Sequence, residues 1–160
     1  MIKSYLKRLD LQVPVISCNG AMVRDPFSDQ VLLSHALPKE QSLNVIDLCK
    51  ERNVDFHIYG HDSIFGENLS HKMLYYDGLN KTLPSDEQTK LVIVPDCKDV
   101  VINGSEPLYK FLIITERNND QPGIFVHLAE IDGLTACQSM PKLCDVMKSG
   151  ISKAYALQKL

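Results

Sequence analysis

Near the end of the chain, Ser152 is followed by Lys153, and their neighbours read as the opening of a helix. A serine hydroxyl suits an N-cap, which would place the Lys153 ammonium in the first turn, where the helix dipole opposes it. A phosphate or another anion nearby reverses that sign, and this makes Lys153 the first candidate for chemistry. The bland alternative is an exposed lysine held by water alone. A second candidate is the turn Asn19-Gly20-Ala21, which closes the apolar run Val13 to Cys18 with a polar side chain and a flexible glycine. An ordinary Asn-Gly turn has the same composition. Tyr59 and His61 end another apolar run and could hold polar tips toward a ligand, or simply finish a strand. His57 and His61 are four residues apart, which would join them on a helix. Their segment reads as a strand, where that interval spans roughly 13 Å. His71 is too far along to help, so no metal site is expected. Cys18 has no basic neighbour in sequence to activate it and reads as a buried structural thiol.

The elements that must position these residues alternate between strand and helix. Ile2, Tyr5, Leu6 and Leu9 form the stripe of a short amphipathic helix. Val13 to Cys18 is a nearly continuous apolar run, as in a strand covered on both faces and paired on both sides. Two β-type stretches around "DPFSD" predict a hairpin over Ala21 to Leu37, expected to leave the first sheet for another. Leu43, Ile46 and Cys49 mark a helix from Lys39 to Asn53. Strands are expected at Val54 to Tyr59, Ser63 to Phe65, Leu91 to Pro95 and Lys110 to Thr115. A short helix is expected at His71 to Tyr76 and another at Gly123 to Asp132. Asp96 to Pro107 reads as turn, and a closing hairpin follows at Leu134 to Ser149. The fold class is therefore α+β, a sandwich of one mixed or antiparallel sheet with helices on one face.

Composition removes several function classes. The 160 residues are 44% apolar, enough for a core of ordinary size. With 17 basic against 20 acidic residues the net charge is -3, which advertises neither nucleic acid nor an anionic membrane as partner. The five cysteines are odd in number and lack CxxC spacing, so a disulfide framework or a closed zinc site is not expected. No apolar run is long enough to cross a bilayer, the N-terminus interleaves charges with apolar residues, and a reducing cytoplasm is the expected location.

Three segments, "LDLQVPVISCNGAMVRD", "EPLYKFLIIT" and "CDVMKSGISKAYALQKL", occur in this order and spacing. Together they resemble the Cof-type branch of the haloacid dehalogenase superfamily of phosphatases, from Leu9 to Leu160. In that branch a cap domain is inserted into a phosphatase core. The family's Asp-x-Asp motif, which carries nucleophile and general acid, does not occur in the chain. Nor does the Gly-Asp-x-x-Asn-Asp motif that holds magnesium.

The resemblance implies a substrate-specificity cap cut out with short flanks of the core: a flank at 1–24, the cap at 25–148 and a lysine-bearing flank at 149–160. It implies that the intact parent is a magnesium-dependent phosphomonoester phosphatase working through an aspartyl-phosphate, with Mg2+ held by the parent and none by this chain. Lys153 matches the family's catalytic lysine, which neutralises phosphoryl oxygens; Ala154 stands where the family usually has glycine. Asn19, Gly20 and Ala21 match its strand-end turn at the core-to-cap seam. With Tyr59 and His61 they form the expected contacts to a phosphorylated small-molecule substrate. The chain alone is expected to be inactive. A homodimer through the flanks is expected if the Val13 to Cys18 strand has open edges. Two alternatives stay open: a stand-alone small-molecule-binding module, and one half of a split enzyme.

Overall fold

The computed structural model describes residues 2–115 and 121–160. A short helix, α1 (Ile2–Arg8), precedes a three-stranded antiparallel sheet of β1 (Val15–Ser17), β2 (Met22–Arg24) and β3 (Val31–Ser34) in that order. After α2 (Lys39–Glu51) come β4 (Asp55–Gly60), β5 (Ser63–Gly66), α3 (His71–Asn80) and β6 (Lys90–Ile93). They are followed by α4 (Cys97–Asn103), β7 (Leu108–Ile114), α5 (Gln121–Ala129), β8 (Leu134–Met140), β9 (Leu143–Lys148) and α6 (Lys153–Gln158). The second sheet has six strands in the order β6-β5-β4-β7-β9-β8, antiparallel except for β5 beside β6. This is the expected α+β fold with a mixed sheet, and β7 stands near its centre.

Strand alternation gives the large sheet two unlike faces. Phe56 and Ile58 of β4, Phe111 and Ile113 of β7, and Cys144 and Val146 of β9 share one core with helix residues. Those residues are Val45, Ile46 and Cys49 of α2, Cys97 and Val101 of α4, and Ile124 and Leu128 of α5, each set at helical spacing. The helices at Lys39 and Gly123 thus stand on one face, as expected, and α4 stands with them. The intervening residues His57, Tyr59, Lys110, Leu112 and Asp145 point the other way. There α3 meets the sheet through Ser70, whose hydroxyl lies 3.1 Å from His57 Nε2.

Three expectations are corrected. The hairpin does not leave for the second sheet: β2 pairs with both β1 and β3. Asp25 closes its turn, accepting from the Phe27 N–H (2.8 Å) and the Ser28 hydroxyl (2.9 Å). β1 has one partner and is half-buried, and Val13 before it is exposed, so the apolar run is an edge rather than a strand covered on both faces. Residues 97–103 are helical, not turn; Asp96 caps α4 by accepting from the Lys98 N–H at 2.8 Å.

Side-chain and backbone contacts join α1 and the small sheet to the rest of the chain. Lys7 of α1 reaches Glu87 at 2.6 Å and Asp86 at 3.3 Å. Arg24 of β2 reaches Asp62 at 2.8 Å. The Leu37 N–H donates to the Leu108 carbonyl at 2.7 Å.

Candidate functional site

The turn after β1 runs through three left-handed residues, Cys18 (φ 47°), Asn19 (φ 56°) and Gly20 (φ 104°). Asparagine tolerates this region and glycine prefers it. At Gly20 the requirement is also spatial. A Cβ there would lie 2.2 Å from the Ser152 carbonyl oxygen and 2.9 Å from the Lys153 nitrogen. The missing side chain lets the turn press directly on the backbone that opens α6. Ser152 caps that helix as its sequence position predicts, accepting from the Tyr155 N–H at 3.0 Å.

This joint forms one wall of an open cavity of about 550 Å³. Asn19, Ile151, Ser152, Lys153 and Ala154 line that wall; Thr135, Cys137 and Ser139 of β8 and Asp145 and Met147 of β9 line the other. In the ladder Cys137 lies opposite Asp145 and Thr135 opposite Met147, so these four belong to the sheet's second face.

The cavity floor is held by a buried polar network. Asp145 is 4% exposed. One of its oxygens, Oδ2, accepts from Asn19 Nδ2 at 2.9 Å, and Asn19 Nδ2 also lies 3.4 Å from the Met147 sulfur. The other, Oδ1, takes no directional hydrogen bond; the Lys110 ammonium lies 3.0 Å away as an ion pair. That ammonium also stands over the Tyr59 ring, 4.5 Å from its centroid, a cation–π contact on a desolvated face. Burial, with the neighbouring Tyr76 hydroxyl, pushes the Tyr59 phenol well above its ordinary range. Burial likewise pushes the Cys18 thiol up to about 11, so at neutral pH it stays a protonated structural residue.

The expected site residues therefore separate into three groups. Asn19, Gly20 and Lys153 come together at the cavity, with Lys153 exposed. Ala21 is fully buried with Met22 and Tyr109, and Tyr59 adjoins the floor through Lys110; neither lines the cavity. His61 lies elsewhere, 2.9 Å from Arg24 Nη1 and 3.8 Å from Asp29. Asp29, His61 and Asp62 are the group of metal-ligand type found among the described residues. The Arg24 guanidinium already pairs with both carboxylates, at 3.0 and 2.8 Å.

Sequence reasoning missed Lys110 and Asp145. A signal existed: Lys110 is the lone charge of β7 and Asp145 is flanked on both sides by apolar residues of β9, and a charge placed among apolar strand residues requires a partner of opposite sign.

Comparison with known proteins agrees with this architecture. The profile of the haloacid dehalogenase-like hydrolases matches residues 1–160. A Mycoplasma pneumoniae protein named "Putative phosphatase" is 25% identical over 164 residues, covering 100% of this chain and 58% of its own length. Pyridoxal phosphate phosphatase YbhA of Escherichia coli K12 is 22% identical over 158 residues, covering 99% of this chain and 58% of its own. The chain thus spans somewhat over half the length of these curated relatives. A haloacid dehalogenase-like hydrolase from Bacillus subtilis superposes with a TM-score of 0.78 at 16% identity, over 99% of this chain and 61% of that one, which is a likeness of fold.

Proposed function

The chain belongs to the haloacid dehalogenase-like hydrolase family, in its Cof-type branch, and we propose that it is the substrate-selecting cap of a phosphomonoester phosphatase together with short stretches of the core beneath it. The observation that carries this reading is the closure of Asn19-Gly20 onto Ser152 and Lys153, which sets a lysine at the mouth of a cavity walled by the sheet's polar face. α6 is only 6 residues long, so little of a helix dipole is available; the positive charge at the site is that of Lys153 itself. Lys110 and Asp145 cancel one another, leaving the cavity with that single unbalanced cation. One cation beside hydroxyl-bearing walls suits a phosphate monoester of a small polar molecule. The name of the E. coli relative makes pyridoxal phosphate one ligand to try, beside sugar phosphates.

Magnesium supplies charge neutralisation at the phosphoryl group in this family, and the cavity alone does not fit it. Mg2+ takes an octahedral set of oxygens that includes one or two carboxylates. Asp145, the one carboxylate among the lining residues, is committed to Lys110 and Asn19. In this proposal the parent's metal ligands and its aspartate nucleophile come from residues this chain does not contribute. The part of Lys153 is to hold phosphoryl oxygens while the sheet face selects the organic group.

Purified chain incubated with p-nitrophenyl phosphate or sugar phosphates and magnesium should bind ligand saturably and release phosphate at the background rate. Loss of a positioned nucleophile costs on the order of a millionfold in enzymes that work through one. Turnover that disappears in Lys153→Ala would show instead that the chain, or an assembly of it, builds a complete catalytic site.

A further inference from the structure

The orientation of the Asn19 amide is dictated by its neighbours. A carboxylate only accepts, so the Asn19 group facing Asp145 Oδ2 at 2.9 Å must be the NH2, and the Met147 sulfur at 3.4 Å is also an acceptor. Both N–H bonds of Asn19 are therefore directed into the sheet. Its Oδ1 takes no hydrogen bond from the described residues, nor is it among the buried polar atoms left without a partner. Asn19 is a lining residue of the cavity, and its Oδ1 has a lone pair to offer a ligand there. Asp145 in turn is fixed by Lys110, which the Tyr59 ring supports from beneath. Nothing in this chain of contacts leaves the amide free to turn over.

We propose that Lys110 and Asp145 are positioning residues that lock Asn19 as a hydrogen-bond acceptor, so that the cavity reads a donor, a hydroxyl or N–H on the organic part of the ligand, at that point. This rests on the phosphate-ester reading of the cavity and sharpens it. The asparagine does not bind phosphoryl oxygens, because an acceptor facing an anion would repel it; the phosphate is left to Lys153. The ligand class is a phosphate monoester whose organic half carries a donor within reach of the turn. Thr135 and Ser139 on the opposite wall can each donate or accept and impose no such polarity.

The test must change the lock without changing the charge. Lys110→Met with Asp145→Asn removes one cation and one anion together, and the new amide at 145 can accept as well as donate. Two readouts apply: the side-chain NH2 resonances of Asn19 in 15N NMR, and titration with orthophosphate and with glucose 6-phosphate. In the wild type the Asn19 NH2 signals should be distinct and slow to exchange with water. In the double variant they should lose that protection. Glucose 6-phosphate should then bind roughly five- to tenfold more weakly, the worth of one hydrogen bond, and orthophosphate equally well. Asn19 signals indifferent to the double substitution would overturn the proposal. So would an equal loss for both ligands. If the wild type binds neither ligand, the phosphate reading of the cavity fails, while the Asn19 resonances still decide whether the amide is locked.

Discussion

The two faces of the six-stranded sheet are built from alternate residues of the same strands, and they serve different ends. On the helix side Phe111, Ile113, Ile58 and Val146 meet three helices in a wholly apolar core. On the other side His57 and Asp145 are buried and Lys110 and Tyr59 half-buried, yet each is polar and held by a specific partner. Apolar packing is non-directional and tolerates repacking, whereas a buried charge admits one geometry. The first face sets stability; the second fixes where the Asn19 amide and the β9 wall of the cavity stand.

Substitutions on the two faces should differ in kind. Phe111→Ala removes a fully buried ring that packs 6.1 Å from Phe56, centroid to centroid, and should lower unfolding free energy by about 4 kcal/mol. Urea denaturation would show it, and the variant that remains folded should bind phosphate ligands as before. Lys110→Met on the polar face leaves Asp145 uncompensated and should cost about 3 kcal/mol, most of it recovered when Asp145→Asn is added. No equivalent rescue by a neighbouring substitution is expected for Phe111→Ala. If the two single variants behaved alike, with no coupling between 110 and 145, the contrast between the faces would be lost.

Acid should attack the polar face through His57. Burial is the main cause that lowers the His57 pKa from 6.5 to about 4, against a smaller opposing pull from Asp55. Between those values the unfolded chain binds a proton that the folded chain refuses, so stability is full above about pH 6.5 and falls as pH drops toward 4. The loss approaches about 3 kcal/mol. His57→Gln should flatten that part of the pH–stability curve, which paired denaturation series at pH 7 and pH 4.5 would reveal. The joint between the sheets gives the smallest of these effects. Gly20→Ala needs both a left-handed alanine and room that the Ser152 carbonyl occupies. It should cost on the order of 2 kcal/mol and, by pushing α6 away, weaken anion binding more than its stability loss explains.

The legible parts of the sequence were those whose chemistry is local. α2, β7 and the closing hairpin announce themselves through apolar periodicity, and Ser152-Lys153 and Asn19-Gly20 through cap and turn residues that need no distant partner. α4 was hidden because Val100, Val101 and Ile102 favour strands and the helix is one short stretch; Asp96 before it and Gly104 after it were the readable caps. β1 was read as covered on both faces because an apolar run does not say how many strands flank it. Lys110 and Asp145 were missed for the opposite reason to Lys153. A charge among apolar strand residues signals that a partner is needed, but which residue supplies it is decided by a cross-strand contact between β7 and β9 that local sequence does not show.

The most direct measurement is a titration of 15N-labelled chain with orthophosphate, repeated with Lys153→Ala and, as a control, with Lys148→Ala, whose exposed side chain is not among the cavity's lining residues. Saturable shifts confined to residues 150–155 and the Cys18–Gly20 turn, abolished in Lys153→Ala and unchanged in Lys148→Ala, are the predicted result. Shifts centred elsewhere, or an affinity that survives Lys153→Ala, would contradict the account.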